Sequence, residues 1–120
     1  MKIRYKVWLD QNGKAFGNGP FELLKRVEKS GSLRKAAGQM NMSYSKAWRL
    51  IHLLEGRLGF PLLNKKVGGF YGGGSLLTPE AKDLMGHYEK FQKEVKEALN
   101  QIFKKHFGYS FTDSLSHKKG

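Results

Sequence analysis

Residues 31–58 read GSLRKAAGQMNMSYSKAWRLIHLLEGRL, and this stretch decides the fold. Ser32 is a residue that accepts a hydrogen bond from the free N–H groups opening a helix, and Ala36, Ala37 and Met40 follow as a small apolar face. Asn41 breaks the pattern with a residue that tolerates a left-handed backbone better than most. Ser43 repeats the capping signal, after which Ala47, Ile51, Leu54 and Leu58 recur along one helical face. Gly59 and Pro61 stop this second helix. Two short helices joined by a tight turn are expected. The second presents Tyr44, Ser45, Lys46, Trp48, Arg49 and His52 away from its apolar face.

Downstream, Leu62-Leu63-Asn64 and Leu76-Leu77-Thr78 read as two short strands around a basic, glycine-rich loop, Lys65 to Ser75. Thr78-Pro79-Glu80 then opens a helix predicted to run to about Phe107. Its residues Ala81, Leu84, Tyr88, Phe91, Val95, Ala98 and Ile102 repeat with the spacing of a heptad seam, and Glu89, Lys93 and Glu97 alternate in charge one turn apart. Upstream, Pro20 sits in the first turn of a helix carrying Leu23, Leu24 and Val27, which stops near Ser30-Gly31. Ile3, Tyr5, Val7 and Leu9 alternate with Arg4, Lys6 and Trp8 as in a half-buried strand. Asp10 to Gly13 turns that strand into Lys14-Ala15-Phe16, giving a hairpin.

The expected architecture is mostly α with small β: a winged helix-turn-helix with an N-terminal β-hairpin and a long C-terminal dimerisation helix. The expected division is 1–78 for the winged domain, 79–107 for the helix and 108–120 for an aperiodic tail, either disordered or packed on a partner subunit.

Composition narrows the partner. The 120 residues carry 22 Lys and Arg against 10 Asp and Glu, a net charge of +12. Polyanions follow as partners, nucleic acid before an acidic membrane face. A merely solvated surface is the competing reading, and the distribution argues against it. Between Lys25 and Gly74 stand Lys25, Arg26, Lys29, Arg34, Lys35, Lys46, Arg49, Arg57, Lys65 and Lys66 against only Glu28 and Glu55. The acids Glu80, Asp83, Glu89, Glu94 and Glu97 gather in the long helix instead. No cysteine is present, so disulfides and thiolate metal sites are excluded. No apolar stretch approaches the roughly 18 residues of a membrane span, and the start of the sequence does not resemble a signal peptide, so the expected location is the cytoplasm.

Duplex DNA fits these features because its major groove admits one α-helix, braced by the helix before it. Base reading is assigned to Tyr44, Ser45, Lys46 and Arg49, with Arg49 the candidate for bidentate contact with guanine. Backbone contact is assigned to Ser43, Arg34, Lys35, His52, Lys65 and Lys66. Gly72, Gly73, Gly74 and Ser75 complete a wing whose backbone N–H groups approach phosphates. Trp48 either braces the helix beneath the wing or touches DNA. The glycine run lacks the Gly-Lys-Ser/Thr ending of a nucleotide loop, and a strand follows it. His52, His87, His106 and His117 are scattered, so neither a metal nor another cofactor is expected, and no catalytic grouping stands out. The seam residues Leu84, Tyr88, Phe91, Val95, Ala98 and Ile102 extend past what so small a domain could cover, which favours pairing with a second copy.

Four motifs carry a resemblance: Gly31 to Ala37, Met42 to Arg49, Gly68 to Gly74 and Leu77-Thr78-Pro79. Together they resemble the N-terminal domain of the ModE family of molybdenum-dependent transcriptional regulators, over roughly residues 1–105. The segment from Ser32 to Pro61, with the seam helix, is more distantly similar to the DNA-binding domain of LysR-type regulators. The resemblance implies a winged-helix homodimer on a pseudo-palindromic operator, with Ser43 to His52 as the reading helix and a link to molybdate, tungstate or other oxyanion metabolism. Members of the ModE family continue into a molybdate-binding module of small β-barrels where this sequence ends, so a standalone DNA-binding domain without that sensor is expected. Two other readings stand beside it: a low-specificity architectural DNA-binding protein, and a DNA-binding subunit that docks a separate sensor protein.

Overall fold

The structure is a computed structural model and describes residues 1–66 and 74–108. Val7–Gly86 forms one compact unit, and among the described residues Met1–Lys6 together with 87–108 forms another. The first unit opens with β1 (Leu9–Asp10) and β2 (Lys14–Phe16), paired antiparallel with Leu9 opposite Phe16 and Asp10 opposite Lys14. The turn between them uses positive φ angles at Asn12 (58°) and Gly13 (118°), which the Asn-Gly pair supplies at low cost. The hairpin is therefore present, but its first strand is far shorter than the alternation from Ile3 predicts. Among the described residues the β1–β2 ladder pairs Leu9 with Phe16 and Asp10 with Lys14 across a register shift.

Helix α1 (Asn18–Ser30) starts after Gly17, keeps Pro20 in its first turn and ends at Gly31 with φ 71°. Leu23, Leu24 and Val27 are fully buried along it. Helix α2 (Leu33–Gln39) is capped by Ser32, whose hydroxyl oxygen accepts the Lys35 N–H at 3.1 Å. The turn after it passes through Asn41 at φ 55°, the left-handed conformation expected there. Helix α3 (Tyr44–Leu58) is capped the same way by Ser43, which accepts the Lys46 N–H at 3.1 Å, and ends at Gly59 with φ 87°.

Strands β3 (Leu63–Lys66) and β4 (Gly74–Leu77) pair antiparallel in unbroken register, from Leu63 opposite Leu77 to Lys66 opposite Gly74. Thr78 lies outside the ladder, contrary to its placement in the second strand. Its hydroxyl donates to the Pro61 carbonyl at 2.7 Å and accepts the Ala81 N–H at 3.0 Å. One buried side chain thus closes the wing and starts α4 (Pro79–Phe107).

The core of this unit gathers Phe16, Leu23, Leu24, Val27, Ala36, Ala37, Ala47, Ile51, Leu54, Leu62 and Ala81, all essentially buried. α1 packs on α2, α2 on α3, β2 on α3 and β4 on α1. Each large aliphatic side chain here contributes about 1.5–3 kcal/mol, against about 1 kcal/mol for a helix cap. Packing therefore sets how the helices are oriented, and the caps set where they begin.

On α4, Ala81 and Met85 are buried, and Met85 is a core residue that the heptad reading passed over. In the second unit Tyr88 is buried, and the Gln92 amide donates to its hydroxyl at 2.7 Å. Burial pushes the Tyr88 hydroxyl above its ordinary pKa, against a smaller opposing effect of Gln92. Val95, Leu99 and Phe103 are half-buried, whereas Phe91, Ala98 and Ile102 are exposed. The apolar stripe is wider than a strict heptad seam.

Glycines supply a direct test of this packing. A Cβ at Gly13 would lie 2.7 Å from the Arg57 guanidinium carbon at a φ of 118°, so Gly13→Ala is expected to lower stability by about 1–3 kcal/mol. Gly56, within α3, has open space at its Cβ position, and Gly56→Ala is expected to raise stability by about 0.5–1 kcal/mol. Urea denaturation midpoints measure both, and shifts of the same sign would contradict this account of the hairpin contact.

Candidate nucleic-acid interface

The buried face of α3, Ala47, Ile51 and Leu54, turns the rest of that helix outward. Ser43, Tyr44, Ser45, Lys46, Trp48, Arg49 and His52 are all exposed, as the sequence predicts. Tyr44, Trp48 and His52 follow one another turn by turn, with Ser45 and Arg49 as the adjacent row. The Trp48 and His52 rings stack with centroids 3.7 Å apart. His52 Nδ1 lies 2.9 Å from the Trp48 carbonyl oxygen, so Nδ1 carries the proton and donates it there. The Arg34 guanidinium, reaching from α2, sits 4.3 Å over the Tyr44 ring. Such an exposed cation–π contact is worth about 0.5–1 kcal/mol and steadies both side chains.

The wing base meets the same face. A groove of about 310 Å³ is lined by Tyr44, Trp48, His52 and Glu55 of α3 and by Leu63, Asn64, Lys65 and Ser75 of the β3–β4 ladder. Lys65 is exposed at its rim. Gly72 and Gly73 lie outside the described residues, as does the side chain of Lys66, while Gly74 begins β4 opposite Lys66. The Ser75 N–H donates to the Gly31 carbonyl at 2.9 Å, which ties β4 to the end of α1.

Two of the cations counted towards a phosphate-facing surface, both half-buried, bond within the protein. Arg57 donates to the Lys14 carbonyl at 2.7 Å, and Gln11 donates to the Arg57 carbonyl at 2.8 Å, so the hairpin is docked on the end of α3. Arg26 pairs with Glu22 at 3.0 Å and donates to Gln39 at 3.2 Å. Arg34, Lys35, Lys46, Arg49 and Lys65 remain exposed. Glu55, to which the sequence assigns no role, has one in the structure. Its carboxylate accepts the Leu62 N–H at 2.6 Å and the Leu63 N–H at 3.4 Å, holding the start of the wing on α3. The only available signal was an acid isolated in a stretch of cations.

Among the described residues no group of three or more His, Asp or Glu side chains could hold a metal ion. No described helix is long and apolar enough to cross a membrane.

The Glu55 anchor is testable by itself. Glu55→Ala leaves two backbone donors without their charged acceptor and is expected to cost about 1.5–3 kcal/mol, read from urea denaturation. An unchanged midpoint would mean that solvent satisfies those donors equally well.

Comparison with known proteins agrees with this geometry. The family model described as bacterial regulatory helix-turn-helix protein, lysR family, matches residues 20–82 of the 120. The chain is 30% identical over 98 residues to the molybdenum-pterin-binding protein MopB of Rhodobacter capsulatus, covering 82% of this chain and 36% of that protein. It is 32% identical over 78 residues to the transcriptional regulator ModE of Haemophilus influenzae, covering 65% of this chain and 31% of that one. It thus spans about a third of the length of these curated relatives. The solved CbnR_DBD–DNA complex superposes with a TM-score of 0.55 at 18% identity, over 70% of this chain and 91% of that one, a likeness of fold. Matched over more than half its length and carrying the two capped helices and the wing ladder, the chain belongs to the lysR family of bacterial regulatory helix-turn-helix proteins.

Proposed function

We propose that this chain is a sequence-specific DNA-binding regulator of transcription, acting in the cytoplasm as a homodimer on a pseudo-palindromic operator. The observation that carries the reading is the open face of α3. Ser45, Lys46 and Arg49 are exposed there, and the same helix shares a groove with Lys65 of the wing base. An exposed helix of this kind fits the major groove, where Arg49 pairs with guanine O6 and N7 and Ser45 and Lys46 reach neighbouring base edges. Ser43, Lys35, His52 and Lys65 take the phosphates, and so do the edges of the Arg34 guanidinium. Lys66 and the glycines of the wing join them in this proposal.

The apolar residues left exposed on α4, Phe91, Ala98 and Ile102, support pairing with a second copy, together with Leu84, Tyr88 and Val95 of the seam. Two recognition helices would then enter grooves one helical turn, or a multiple of it, apart. The name of the Rhodobacter capsulatus relative supports a place in molybdenum or other oxyanion metabolism, and a separate sensor protein is a further partner in this proposal.

Arg49→Ala is expected to weaken binding to the selected operator by about 1–3 kcal/mol while leaving non-specific duplex binding nearly unchanged. Lys65→Ala is expected to weaken all duplexes alike and to lower the salt slope of log K by about 1. Competition binding at several salt concentrations measures both. Equal loss on every sequence for Arg49→Ala would place that residue on the backbone. A wild-type chain without sequence preference would instead favour an architectural protein.

A further inference from the structure

The outer face of α3 carries an open cleft of about 320 Å³ lined by Tyr44, Ser45, Trp48 and Arg49. Resting on the DNA-reading role proposed above, we infer that this cleft takes the 5-methyl group of a pyrimidine, thymine in ordinary DNA, lying next to the guanine held by Arg49. Trp48 is its specificity-determining wall.

The argument starts from two aromatic rings left in water on a helix that has a core to bury them in. Tyr44 is 39% exposed and Trp48 45% exposed, and neither joins Ala47, Ile51 and Leu54 beneath them. Both rings are also held. Trp48 stacks on His52 at 3.7 Å, and His52 is itself tied to the Trp48 carbonyl at 2.9 Å. Tyr44 lies under the Arg34 guanidinium at 4.3 Å. Side chains fixed before binding lose little freedom when a ligand arrives. An apolar wall held open in this way therefore has a preformed shape to match.

The edges of bases in the major groove are mostly nitrogen and oxygen donors and acceptors, and the methyl group on C5 of thymine is the one apolar group that projects beyond the ring, where cytosine carries only a hydrogen. A donor or acceptor pushed against the carbon face of the Trp48 ring would lose its water without replacement. A methyl group gains by the same contact. Arg49 at the border of the cleft supplies the neighbouring element, because its guanidinium matches the two acceptors of guanine in the same groove. Ser45 at the remaining edge leaves room for a base to approach. The cleft and the cation together select a methylated pyrimidine beside a guanine, which a lysine or an arginine alone could not do.

The test uses the full chain and a binding site selected from random duplexes. Each thymine of that site is replaced singly by deoxyuridine, which removes the methyl group and keeps every hydrogen-bonding edge. One thymine per half-site, adjacent to the guanine on which Arg49 depends, is expected to lose about three- to fivefold in affinity, the worth of one buried methyl group. Trp48→Ala is expected to bind thymine and deoxyuridine sites alike while keeping its guanine preference, and Trp48→Phe to retain part of the discrimination. His52→Ala, which frees the indole, is expected to reduce it. If every thymine can be exchanged without effect, or if Trp48→Ala keeps the full thymine preference, the cleft does not read a methyl group although the DNA-reading role survives. If no site emerges from selection, that role and this inference fall together.

Discussion

The rotation of α3 about its own axis is the constraint on which the site depends. Ala47, Ile51 and Leu54 are buried, and each large side chain among them is worth more than the Ser43 cap and the surface contacts of Tyr44 or His52. That inequality leaves the helix one way to sit. Once it is seated, Ser45 and Arg49 face outward and the row of Tyr44, Trp48 and His52 lies between them and the wing, where stacking and the Arg34 contact fix its rings. Turning the helix by one residue, about 100°, would bury polar atoms and expose aliphatic ones, which is why a few methyl groups control where a guanidinium points.

The remaining interactions attach other elements to that helix. Glu55 holds the first residues of the wing, Arg57 holds the hairpin, and Ser75 ties the returning strand to Gly31. Each is a polar bond between residues far apart in sequence or between separate elements. They work by satisfying backbone groups that the turns would otherwise leave open. In this way a chain with a large excess of cations uses some of them, Arg57 and Arg26, to link its own elements and leaves Arg34, Lys35, Lys46, Arg49 and Lys65 exposed. Net charge points to a polyanionic partner, but it does not say which cations meet it.

Local signals were legible wherever one residue type has one physical use. Ser32 and Ser43 as caps, Asn41 and Gly31 at positive φ, and Thr78-Pro79 at the start of α4 all stand where the sequence places them. So do both ends of the long helix. The N-terminal alternation reaches further than β1 because period two describes a face and does not say where the ladder ends. The heptad reading missed Met85, Leu99 and Phe103 because seven-residue spacing picks out one line along a stripe that is broader than a line.

The amino-acid sequence by itself determined the order of the elements, their caps and breaks, the apolar face of α3 and therefore which of its residues look outward. These follow from backbone preference and helical period, both properties of neighbours along the chain. Tertiary structure alone decided that Arg57 docks the hairpin, that Arg26 reaches Gln39, that Glu55 anchors the wing, that the Ser75 N–H is already taken, and that Arg34 lies over Tyr44. Long polar side chains reach partners through space in several directions of similar energy, and only the packed fold removes the alternatives.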